Sequence, residues 1–163
     1  MSETFILIQH GHAVDADDTP ETDLVARTAC YVAERFKPEI LLSGPTNRCM
    51  STAKVLGEVC HLSPTPEPAL IPNCSTQDEL GDRLMGVVTQ LIGAHAGKTI
   101  AIVNHEISNQ LIIARVMGME RRRAADIVQE PNSVTCLRHH ENRWTLQSLN
   151  ETAHLWAPDM QHH

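Results

Sequence analysis

Two histidines separated by most of the chain stand in the same local setting. The apolar run Thr4-Phe5-Ile6-Leu7-Ile8 leads into Gln9-His10-Gly11-His12, and the run Thr99-Ile100-Ala101-Ile102-Val103 leads into Asn104-His105-Glu106. Both runs read as buried strands. Each histidine then follows the C-terminal end of its strand, the edge of an open α/β sheet at which ligands bind. A single histidine in such a place can be a cap or a packed core group. Two of them at one sheet edge point to chemistry built on a pair of imidazoles, and Gly11 lets the backbone beside the first come close to a ligand.

Other side chains could join that edge. Ser43-Gly44-Pro45-Thr46-Asn47-Arg48 opens a helix directly after another short strand, so the start of this helix faces the same way. An arginine there can fork onto a phosphate with the help of the helix dipole, although a solvated helix arginine has the same sequence signature. Glu106 could act as an acid beside His105, or serve only as a first-turn carboxylate favoured by the dipole; Asp78 reads as the latter. His10 and His12, at alternate positions, could with His105 and Glu106 hold zinc. Cys49 could be a thiolate lowered by its helix N-terminus, but no phosphate loop of the C-x5-R type surrounds it.

The elements that must position these residues alternate along the chain. Thr4 to Gln9 is a strand. Thr19-Pro20 is a helix start, with threonine as cap, proline at the first helical position and Glu21 and Asp23 in the first turn. Val25, Thr28, Ala29, Val32, Ala33 and Phe36 follow at helical spacing, and Lys37-Pro38 ends the helix. Glu39 to Ser43 is a second strand, followed by a helix to about His61. The prolines from Ser63 to Pro68 demand an extended segment. A third helix begins at Ser75-Thr76-Gln77-Asp78 and turns Leu80, Leu84, Val87, Val88 and Leu91 to one face. A strand ending at Asn104 and a helix from Ile107 to Met117, closed by Gly118, come next. Asn132 to Arg138 and Arg143 to Leu149 form a hairpin around His140-Glu141-Asn142. Alternation of this kind predicts an α/β three-layer sandwich with a largely parallel central sheet and a hairpin at one edge.

At 163 residues a single domain over 1–163 is expected. The net charge of −7 with aromatics at only 3%, and no basic run beyond Arg121-Arg122-Arg123, argues against nucleic acid and against an anionic membrane surface. The chain has no signal-peptide pattern and no stretch of membrane-spanning length. Its five cysteines are odd in number and widely spaced, as reduced thiols of a cytoplasmic protein would be. His139-His140 and His162-His163 read as exposed turn and tail residues.

Taken together, Gln9-His10-Gly11, Ser43-Gly44-Pro45 through Arg48 to Thr52-Ala53, and Val103-Asn104-His105 resemble the histidine phosphatase superfamily, the phosphoglycerate-mutase-like fold. That family has Arg-His-Gly, then Ser-x-Pro-x-x-Arg-x-x-x-Thr-Ala, then a strand ending in Ser-His or Gly-His. The tail Asn132-Ser133-Val134-Thr135, with Trp144-Thr145-Leu146 and Leu149-Asn150-Glu151-Thr152-Ala153-His154-Leu155, is similar too. The resemblance implies that His10 is a nucleophile forming a phosphohistidine, and that Arg48 and His105 hold the phosphoryl oxygens, with no metal or other cofactor required. The implied substrate is a phosphorylated small molecule or a phosphoprotein, as a phosphomonoester or phosphoramidate, with Gln9 and Gly11 beside the bound group.

The sequence departs from the family in two places. Gln9 replaces the arginine before the nucleophile. Loss of a charged hydrogen bond costs about 1.5–3 kcal/mol, or roughly one to two decades in rate, so a catalytically degenerate phosphate-binding or regulatory protein is the alternative. The mutase insertion, with its glutamate acid, is missing between Arg48 and His105. There the chain is more like the short bacterial phosphohistidine phosphatases, so a phosphatase is expected and a mutase is not.

Overall fold

In a computed structural model, residues 1–11 and 22–156 are described. The chain runs through β1 (Ser2–Gln9), α1 (Thr22–Arg35), β2 (Ile40–Ser43), α2 (Asn47–Cys60), β3 (Thr65–Pro66), α3 (Gln77–Ala94), β4 (Thr99–Asn104), α4 (Glu106–Val116), β5 (Val134–His140), β6 (Arg143–Glu151) and α5 (Ala153–Trp156). The strands form one six-stranded sheet in the order β3-β2-β4-β1-β5-β6. The first four in that order are mutually parallel, whereas β5 is antiparallel to β1 and β6 to β5. This is the largely parallel sheet with an edge hairpin that the alternation of elements predicts. The helix start at Thr19-Pro20 lies outside the described residues, as do His12 and His162-His163. None of the described helices is long and apolar enough to cross a membrane.

The period-2 alternation of the strands feeds two cores, one on each face of the sheet. Phe5 and Leu7 of β1 join Ile100 and Ile102 of β4 under α3 and α4, against Leu80, Leu84, Val88, Leu111 and Ile112. Ile6 and Ile8 join Ala101 and Val103 under α1 and α2, against Ala29, Val32, Ala53 and Leu56. The apolar stripe expected on α3 is the one that is buried. With few aromatic residues, both cores are filled almost entirely by aliphatic side chains.

Local chemistry sets the element ends. Thr46 and Thr76 cap α2 and α3, each accepting a backbone N–H three residues on. Glu141 and Asn142 both take positive φ, which a two-residue type I′ hairpin turn requires, so β5 extends to His140 and the turn is shorter than the sequence indicates. The basic run at Arg121 to Arg123 falls in a 3-10 segment (Arg121–Asp126) that the sequence reading did not anticipate. Its arginines pair with Asp78, Glu120 and Asp126 respectively. One histidine differs from expectation. His139 is not an exposed turn residue: β5 sets it opposite Glu3, its Nδ1 lies 2.8 Å from the Glu3 carboxylate, and its ring packs on Trp144.

Three glycines give opposed stability expectations. A Cβ on Gly57, in the last turn of α2, would lie 2.4 Å from the Leu62 carbonyl oxygen, whereas Gly86 and Gly93 of α3 have nothing within 4 Å. Helix propensity alone favours alanine by about 1 kcal/mol at all three. Urea unfolding should therefore show G86A and G93A stabilised by up to about 1 kcal/mol, and G57A destabilised by about 1–3 kcal/mol through the backbone clash. The account of the α2 terminus is wrong if G57A is stabilised.

Candidate active site

The parallel pairing of β1 and β4 ends with Gln9 opposite Asn104, so the next residue of each strand, His10 and His105, leaves the sheet at the same level. The two rings meet edge to face with centroids 5.0 Å apart and planes at 76°. The backbone locks the arrangement. The His10 N–H donates to the Asn104 carbonyl at 3.1 Å, and the Gly11 N–H donates to the hydroxyl of buried Thr52 at 2.9 Å. Gly44 N–H donates to the Val103 carbonyl at 2.9 Å, which ties the start of α2 to the end of β4.

His10 Nδ1 lies 3.0 Å from the carbonyl oxygen of Gly11. A carbonyl only accepts, so this bond places the proton of the neutral imidazole on Nδ1 and the lone pair on Nε2. His105 occupies the N-cap position of α4 without making a side-chain cap bond. Its Nε2 lies 3.1 Å from the Thr46 hydroxyl, which also accepts the Cys49 N–H as the cap of α2. The His105 imidazole is held below its ordinary pKa, first by burial, then by the neighbouring His10 and then by the charge of Arg48. Arg48, exposed in the first turn of α2, therefore acts electrostatically on the same site.

The N-termini of α2 and α4 both open onto this edge, and α2 has no acidic residue in its first turn. Two positive dipole ends and one guanidinium suit an oxyanion, beside which stands a neutral nitrogen with a lone pair. The structure thus brings together His10, Arg48, His105 and Gly11. Glu106 opens α4 next to His105 and is exposed. Burial pushes the Cys49 thiol up to about 11, so Cys49 is a neutral packed group under Gly44 and not a thiolate. Among the described residues no three His, Cys, Asp or Glu side chains converge as a metal site would require; His12, which the zinc reading needs, lies outside them.

Gln9 is 5% exposed and continues the Phe5–Leu7 face of β1. Asn104 continues the corresponding face of β4, and Ser133, whose carbonyl accepts the Gln9 N–H at 3.2 Å, extends the row just before β5 begins. Gln9 Oε1, both amide atoms of Asn104, Ser133 Oγ and both amide atoms of Asn109 on α4 are buried without hydrogen-bond partners. Buried polar atoms of this kind are satisfied by ordered water or ligand groups. The row is uncharged throughout. The sequence pattern assigns no role to Thr46, Thr52, Asn104 or Ser133. For Thr46 the available signal was its place as a helix cap; for Asn104 it was a polar residue ending an apolar strand.

The family model of the histidine phosphatase superfamily, branch 1, matches residues 71–152, a segment that includes His105. The uncharacterized phosphatase PhoE of Bacillus subtilis is 25% identical over 156 residues, covering 78% of each chain. The probable phosphoglycerate mutase GpmB of Yersinia pestis is 20% identical, covering 93% of this chain and 94% of its own. Among solved structures, the phosphoserine phosphatase of Entamoeba histolytica in complex with 3-phosphoglyceric acid superposes with a TM-score of 0.81 at 16% identity, over 94% of this chain and 99% of that one. At that identity the likeness is one of fold.

His105 gives a pH expectation with a definite sign. Its folded-state pKa lies below its unfolded value of about 6.5, so its contribution to stability is fully present above pH ~6.5 and is lost as pH falls through the folded-state value. NMR titration should show the His105 ring taking up its proton below pH ~6.5, and inorganic phosphate should raise that midpoint, because a bound anion favours imidazolium. A midpoint indifferent to saturating phosphate would remove His105 from the anion site.

Proposed function

The chain belongs to the histidine phosphatase superfamily, and on that premise we propose that it is a phosphatase acting on a phosphomonoester or phosphoramidate through a phosphohistidine at His10. The observation that carries the reading is the bond from His10 Nδ1 to the Gly11 carbonyl, with the His105 ring 5.0 Å away. In this proposal Nε2 of His10 attacks phosphorus and forms the N–P bond as the bond to the leaving group breaks. Arg48, His105 and the two helix N-termini hold the equatorial oxygens, where charge accumulates. Water then attacks the phosphohistidine, releasing inorganic phosphate and restoring neutral His10. Glu106 is the proposed donor of the proton that the leaving oxygen or nitrogen requires, and Gln9 and Gly11 flank the bound phosphoryl group.

Hydrolysis is favoured over mutase chemistry by the brevity of the chain between α2 and α3, which holds only β3 and a 3-10 turn at Pro68–Leu70. The short connection between α2 and α3 supports a large phosphorylated metabolite or a phosphoprotein as the substrate. We place the protein in the cytoplasm as one domain. The uncharged row at Gln9, Asn104 and Ser133 favours one second reading, a phosphate-binding regulatory protein with little turnover.

Steady-state kinetics on an aryl phosphate and on an alkyl phosphate test both readings. H10A should lose at least about a thousandfold in turnover, the order of effect seen on removing a nucleophile, while keeping its circular dichroism. E106Q should slow the alkyl ester far more than the aryl ester, whose leaving group needs little protonation. Equal slowing of the two esters removes Glu106 from the acid role. Wild-type protein that binds phosphate yet turns over neither ester supports the regulatory reading.

A further inference from the structure

The sheet face packed under α1 is not covered along its whole length. α1 ends at Arg35, and beyond it a groove of about 410 Å³ opens over the strands, lined by Thr4, Thr99, Arg138 and Gln147 and walled by Arg35 and Phe36. This is the end of the sheet at which β1 and β4 begin. His10 follows their other end, roughly 20 Å from Thr4 by the rise of a strand.

The groove is rich in hydrogen-bond donors. Arg35 and Arg138 are both exposed and neither makes an ion pair with a described residue; the Arg35 guanidinium lies 5.2 Å over the centre of the Phe36 ring. The hydroxyls of Thr4 and Thr99 and the amide of Gln147 add uncharged donors. The lining contains one carboxylate, Glu151, which is already engaged: the Tyr31 hydroxyl donates to it at 2.6 Å and the Ser148 hydroxyl at 3.3 Å. At the floor lies Cys136, 5% exposed. Burial pushes its thiol up, Arg35 and Arg138 act in the opposite sense and Glu151 adds to the burial effect, so the floor of the groove that both guanidiniums line is a neutral thiol. A donor-rich hollow with two arginines that no described carboxylate pairs, in a chain of net charge −7, is matched by an anion that guanidinium can grip.

We propose that this groove is a second anion-binding site, for a small molecule carrying a carboxylate or phosphate group, separate from the histidine pair. The ligand would bridge Arg35 on α1 and Arg138 on β5, with Thr4 and Thr99 donating from the sheet beneath.

Titration of the Arg35 and Arg138 Nε–H resonances with malonate in one series and inorganic phosphate in another tests the site and separates the two ligand sources. Both resonances should shift saturably with at least one probe, and equally in the R48A variant, whose histidine-side anion site is weakened. R138A should weaken the affinity read at Arg35 about tenfold, the loss of one charged hydrogen bond, and R35A should do the same at Arg138. Turnover at His10 without added anion should be unchanged in both variants. The proposal is overturned if neither probe shifts both resonances saturably, or if R138A leaves the affinity at Arg35 intact.

Discussion

The register between β1 and β4 is the constraint on which the rest of the site depends. With Gln9 opposite Asn104, both strands stop at one level and the two histidines emerge side by side. Because side chains alternate along a strand, a slip of one residue would turn His10 to the other face and strip β1 of its match to both cores. The register is secured by Phe5 and Leu7 on one face and Ile6 and Ile8 on the other, all at most 1% exposed. The pairing of β2 with β4 then carries the effect outward. Gly44 is tied to Val103, α2 starts beside His105, and Arg48 arrives at a place that its own helix could not have fixed.

The chemistry of the edge is local. The protein is acidic overall, yet exposed charges more than about 8–10 Å away are largely screened at physiological salt. What an arriving anion meets first is Arg48 and two helix N-termini. Burial, the neighbouring His10 and the charge of Arg48 hold the His105 imidazole below its ordinary pKa, which favours a ring that acts through hydrogen bonds with Thr46 and a ligand without adding a charge close to His10. The carbonyl of Gly11 fixes the His10 tautomer. Thr52, by accepting the Gly11 N–H, holds the peptide that does so.

Much of this could be read in the sequence, for physical reasons. Elements whose faces are buried carry their period in the residue types, as in β1, β4 and the Leu80–Leu91 stripe of α3. His10 and His105 were legible because polar residues ending apolar strands interrupt that period. What escaped were features decided by long-range contact. The approach of His139 to Glu3 depends on which strand β5 pairs with. The 3-10 segment at Arg121–Asp126 has no periodic signal, and its charges are matched by Asp78 and neighbouring acids. The row of Ser133, Gln9 and Asn104 comes from two strand ends and the residue that precedes a third strand, and only the sheet order makes it continuous. The substitution at Gln9 was plain in the sequence, but its burial among other uncharged side chains was not.

The central claim, that His10 Nε2 takes the phosphoryl group, is tested most directly by trapping the intermediate. Protein mixed with a 32P-labelled aryl phosphate and quenched rapidly in base should carry acid-labile, base-stable label on the peptide containing His10, at up to one equivalent per chain, with none in H10A. Turnover without any label on that peptide, or label that survives in H10A, would contradict the account.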